Sequence, residues 1–101
     1  GGTNKTPVYS TAPGKVTYAG KKGKYGNMIE ITHGEGIITR FAHLNKILVK
    51  KGQEIEFYEK IGLLGSTGRS TGPHLHYEVV VAGKPMDPMN FIKAGRYVFQ
   101  E

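Results

Sequence analysis

Between Asn27 and His33 the side chains alternate in character, with Ile29 and Ile31 on one side of the backbone and Glu30 and Thr32 on the other. Successive strand residues point to opposite faces, so this pattern belongs to a strand with one face in a core and one toward water. The neighbouring segments repeat the theme. Val16 to Ala19 reads as a strand after a Pro13-Gly14 turn. Gly34-Glu35 makes a tight connection, and Gly36 to Leu44 runs back as the hairpin partner. Ile61 to Leu64 is a short apolar run, and His74 to Val81 is a further strand closed by an Ala82-Gly83 turn. The 15 glycines are dispersed, as many tight turns between short strands require. Asp87-Pro88 has the form of an N-cap followed by Pro at the first helical position, which predicts one short helical turn over Met89 to Lys93. The expected fold is mainly β, a small twisted antiparallel β-sheet domain with minimal helix. With 101 residues the chain suffices for a single domain, 1–101.

Charge and cysteine content narrow the partners. The chain carries 14 Lys plus Arg against 8 Asp plus Glu, a formal charge of +6. Such a balance suits anionic partners, but the aromatics are not interleaved with Lys21, Lys22, Lys24, Lys46, Lys50 and Lys51 as stacking platforms for nucleic acid would be. The lysines read as solvated loop residues, and no nucleic-acid partner is expected. With no Cys, disulfides and thiolate metal sites are excluded. No apolar run approaches the roughly 18 residues of a transmembrane segment, and any export signal is expected upstream of Gly1.

The richest chemistry lies in the run from Ser66 to Glu78. On a strand His74, His76 and Glu78 share one face, and Leu75, Tyr77, Val79 and Val81 pack on the other. Two imidazoles on a polar strand face suit a zinc site, since neutral imidazole is a good zinc ligand and a second His handles protons near neutral pH. A His pair on a strand is also often structural or merely exposed, and spacing alone does not decide. His43 ends a stripe of Ile37, Thr39 and Phe41. It is either a partly buried histidine bonded to a backbone carbonyl or a third imidazole converging on the same cleft. His33, beside Gly34, reads as a turn-supporting surface residue.

Five runs occur in order: Thr6 to Val16 (TPVYSTAPGKV), Tyr25 to Gly34 (YGNMIEITHG), Phe41-Ala-His-Leu44, Ile61 to Gly68 (IGLLGSTG) and Ser70 to Glu78 (STGPHLHYE). Together they resemble the M23 family of zinc metallopeptidases, the lysostaphin or LytM type, over about Thr6 to Ile92. The resemblance implies a barrel-sandwich-hybrid-like β fold and an endopeptidase that hydrolyses peptide cross-links of bacterial peptidoglycan in the cell envelope, periplasmic or extracellular. It implies Zn2+ as cofactor, His76 as a metal ligand, and His74 and His43 as catalytic residues facing the metal-bound water. The loops Lys21 to Tyr25 and Gly65 to Gly72 would wall a groove, with Arg69 or Ser70 contacting substrate.

One departure stands out. The family draws its other two zinc ligands from an H-x-x-x-D motif, and this sequence has none: its histidines are His33, His43, His74 and His76, and Asp87 is its only Asp. Three accounts follow: a domain whose N-terminal segment lies outside the sequence, an inactive module that binds the wall or regulates another hydrolase, or a site completed by a partner chain. The intact His43 and H-x-H run favour the first. The segment Val49 to Leu64 also has the hammerhead form seen in lipoyl- and biotinyl-carrier domains. The Met-flanked lysine that a carrier needs is missing, so that alternative is set aside.

Overall fold

The computed structural model describes residues 5–65 and 75–87. Among these residues nine strands make up two antiparallel sheets. The larger contains β6 (Glu54–Ile55), β2 (Gly14–Lys21), β3 (Asn27–Gly34), β4 (Ile37–Ala42), β8 (His76–Val81) and β9 (Lys84–Met86), side by side in that order. The smaller contains β1 (Lys5–Tyr9), β7 (Lys60–Gly65) and β5 (Lys46–Ile47). A three-residue 3-10 turn, Gly23–Tyr25, joins β2 to β3.

The two sheets meet across one core. Val16, Ile29, Ile31, Phe41 and Ile55 of the large sheet pack with Val8 and Ile61 of the small one, and Leu44 and Val49 fill the gap between them. The alternation along β3 does what the sequence implies, burying Ile29 and Ile31 and leaving Glu30 and Thr32 on the outer face half-covered. Tyr77 lies over Phe41, with ring centroids 5.1 Å apart, and its hydroxyl pairs with Thr11 Oγ1 at 3.0 Å. Burial pushes the Tyr77 phenol above its ordinary value, against the opposing pull of that hydrogen bond.

Hairpin chemistry fixes the register. Ala82 and Gly83 both take positive φ, at 52° and 78°, as a type I′ turn demands. Glu35 and Gly36 do the same at 56° and 73°, so the β3–β4 turn sits one residue beyond the Gly34-Glu35 position expected from sequence. Two further expectations are corrected. Leu75 precedes β8 rather than belonging to it and is 38% exposed, whereas Val79 is buried. His33 is no simple surface residue: its Nδ1 donates to the Pro13 carbonyl at 2.6 Å, and Nε2 pairs with the buried Thr39 hydroxyl at 2.7 Å. The helical turn expected over Met89 to Lys93 lies outside the described residues.

Candidate active site

The outer face of the large sheet carries three cross-strand rows, set by the pairing of β3, β4 and β8. Thr32, Ile38 and Val80 form one; Glu30, Arg40 and Glu78 form the next; Ala42 and His76 form the third. Cβ atoms of directly paired residues stand about 4.5–5.5 Å apart, so charges in one row meet. They do. Arg40 Nε donates to Glu30 Oε1 at 3.1 Å, and Arg40 Nη1 reaches Glu78 Oε1 at 3.4 Å. Thr17 Oγ1 donates to Glu30 Oε2 at 2.8 Å, extending the row onto β2.

Glu78 links this row to His76. Its Oε2 lies 2.8 Å from His76 Nε2. Burial alone would raise the Glu78 carboxyl, but the bonds and charges of His76 and Arg40 outweigh it and hold the group below its ordinary value. Ionised, Glu78 only accepts, so Nε2 carries the proton and a neutral His76 presents an unprotonated Nδ1. Tyr25 completes the surround. Its hydroxyl lies 3.4 Å from each Glu78 oxygen, and its ring centroid is 6.0 Å from that of His76.

His43 reaches the same place by a backbone device. Strand parity would put it on the inner face with Thr39 and Phe41, the alternative of a partly buried residue. Instead β4 ends at Ala42 and His43 takes φ of 61°, a left-handed conformation uncommon for a residue with a side chain. The reversal sends Leu44 into the core and leaves His43 exposed. The His43 N–H donates to the Tyr25 carbonyl at 2.8 Å, and its ring meets that of His76 edge-on at 5.9 Å between centroids. His43 and His76 are thus brought together. His74, Arg69 and Ser70 lie outside the described residues, as does the second expected wall beyond Gly65.

Sequence reasoning assigns no specific role to Tyr25, Arg40 or Glu78. Glu78 is visible on the His76 face, but its partner across β4 depends on a register that spacing does not supply.

For zinc the fit is partial. Imidazole is a suitable donor, and a histidine whose second nitrogen is held by a carboxylate is the usual form of a metal-ligating histidine. Yet among the described residues no group of three or more His, Cys, Asp or Glu is placed to hold a metal ion. His76 offers one imidazole donor of that form, and the described residues do not form a complete site.

The sequence model of Peptidase family M23 matches residues 1–88. Peptidoglycan DD-endopeptidase ShyA of Vibrio cholerae is 50% identical over 84 residues, which is 83% of this chain and 20% of that protein. The chain thus spans about one-fifth of the length of ShyA. Among solved structures, a zinc-containing peptidase from Vibrio cholerae superposes with a TM-score of 0.73 at 53% identity, over 82% of this chain and 26% of that one. Lysostaphin of Staphylococcus simulans superposes with a TM-score of 0.78 at 36% identity, over 92% of this chain and 41% of that one.

Proposed function

The chain belongs to Peptidase family M23, and from that membership we propose that it is the His43- and His76-bearing part of a zinc-dependent endopeptidase cutting peptide cross-links of peptidoglycan in the bacterial envelope. The observation that carries the reading is the meeting of His43 and His76 at one exposed point, achieved through a strained backbone at His43. Strain of that kind costs of order 1–3 kcal/mol and gathers at functional sites. The substrate class rests on relatives such as ShyA, whose name records a peptidoglycan DD-endopeptidase.

His76 would bind the metal through Nδ1, its Nε2 being engaged by Glu78. Zinc, when bound, supplies Lewis-acid polarisation of the scissile carbonyl and a water of lowered pKa. The His43 ring, exposed and edge-on to His76, would take a proton from the attacking water or donate to the developing oxyanion. His74 would share that work, and Arg69 and Ser70 would contact the substrate peptide. The two ligands that His76 lacks would come from an H-x-x-x-D motif outside this sequence or from a partner chain.

The absent motif favours a second reading, a catalytically inactive M23 module that binds the wall or regulates another hydrolase. Zinc titration together with digestion of purified sacculi separates the two, using this chain and a form extended upstream. Tight zinc binding and peptide release by the extended form alone are expected, with His76→Ala abolishing both at unchanged fold. No zinc binding and no release by either form would establish the inactive reading.

A further inference from the structure

Behind the meeting point of His43 and His76, four polar side chains line up on an otherwise ordinary sheet face. Thr17, Glu30, Arg40 and Glu78 come from β2, β3, β4 and β8 in turn, so each strand between the sheet's β6 edge strand and β9 contributes one member. Their order is directional. Thr17 donates to Glu30, Arg40 bridges Glu30 to Glu78, and Glu78 ends on His76 Nε2 at 2.8 Å. All three charged members are about one-fifth to one-third exposed, so the row is half-withdrawn from water, while His76 at its end is 47% exposed.

An exposed imidazole on a strand has two freely rotating torsions and no packing to fix its ring. Here the ring has one firm anchor, the Glu78 carboxylate, which is itself pinned by Arg40, and Arg40 by Glu30. We propose that Glu78 is the positioning residue of the site, and that Arg40 and Glu30 are its brace. The row holds the His76 ring with Nε2–H on the Glu78 carboxylate, which leaves Nδ1 as the nitrogen free of it. The inference rests on the metallopeptidase reading only for what Nδ1 is presented to; the positioning itself is a property of this chain alone. Glu30 is the far end of the brace because its second oxygen is taken by Thr17, which denies it an alternative rotamer. Tyr25, at 3.4 Å from both Glu78 oxygens, closes the remaining side of the carboxylate. A carboxylate behind a ligating imidazole fixes its ring orientation and tautomer, and losing such a group costs about 10–100-fold in metal affinity or activity where a site is complete.

The test is nuclear magnetic resonance on the 15N-labelled chain without metal, at a pH where His76 is neutral. In the wild type the His76 Nε2–H proton is expected as a resolved, exchange-protected resonance. Contacts from the His76 ring to the rings of both Tyr25 and His43 are expected beside it. In Glu78→Ala the resonance and both ring contacts should disappear, while contacts between Phe41 and Tyr77 persist and report an intact sheet. In Arg40→Met the resonance should survive with faster solvent exchange, since the anchor remains and its brace is gone. A wild-type His76 that is protonated on Nδ1, or ring contacts unchanged in Glu78→Ala, would overturn the proposal. The readout is independent of hydrolysis. A positioned His76, with neither this chain nor the form extended upstream binding zinc or opening sacculi, would therefore support the positioning role while refuting the peptidase reading.

Discussion

His43 shows how one residue's backbone decides the chemistry of a surface. Its left-handed φ of 61° turns the side chain from the core face to the outer face and lets Leu44 take the buried place. A non-glycine residue in that conformation costs roughly 1–2 kcal/mol. Removing the imidazole in two ways separates strain from side-chain contacts. His43→Gly should be more stable than His43→Ala by about 1 kcal/mol in thermal or denaturant unfolding, the reverse of the usual ranking within structured segments. Equal stabilities would show that the backbone at this position is unstrained. The position is legible from sequence as a candidate, but strand parity assigns His43 to the wrong face, because alternation holds only while φ stays extended. His33 escapes sequence reasoning for a related reason. Its neighbours suggest a turn, whereas its two partners, Pro13 and Thr39, are supplied by a register that only pairing of the strands creates.

Among the elements, one short hairpin and one polar row carry the testable energetics. Ala82 occupies the first left-handed place of the β8–β9 turn at φ of 52°, where Asn is far better suited. Ala82→Asn should therefore raise unfolding stability by about 0.5–1 kcal/mol, read as a higher denaturant midpoint at unchanged slope. The Glu30–Arg40–Glu78 row predicts a pH effect. The folded Glu78 carboxyl lies below its ordinary value of 4.5, so its contribution to stability is complete above that value. It is lost as pH falls through the lower folded value, because the unfolded state then binds the proton more readily. Glu78→Gln should flatten the acid limb of stability against pH in that window, and an unchanged limb would rule out the row as a source of acid sensitivity. Most strands are legible, since period-two alternation with Gly-rich turns is a strong local signal: β3, β4 and β7 fall close to where their residues put them. What escapes is pairing. Nothing along the sequence says that Glu30 faces Arg40 and that Arg40 faces Glu78, because each contact joins residues fixed by turns elsewhere.

For the whole molecule, close approach between strands is as limiting as apolar burial. A Cβ placed on Gly14, at the start of β2, would lie 2.5 Å from the Thr32 carbonyl oxygen and 2.8 Å from Ile31 Cγ2. Backbone cannot yield as a side-chain tip does, so Gly14→Ala should destabilise by about 1–3 kcal/mol although it adds a single methyl. Wild-type stability in that variant would mean that β2 and β3 are free to separate locally. Phe41, fully buried against Ile29 and Tyr77, marks the centre of the core that this spacing serves. The topology also makes the β4–β8 pairing a distant one along the chain. Between Ala42 and its partner His76 the chain forms β5 of the small sheet, β6 at the far edge of the large sheet, and β7 of the small sheet again. Pairings of such sequence separation close slowly, since the intervening chain loses its freedom before the contact rewards it. His43 and His76 therefore meet only where β8 is paired with β4, and a chain in which that pairing is open carries both imidazoles with no site between them.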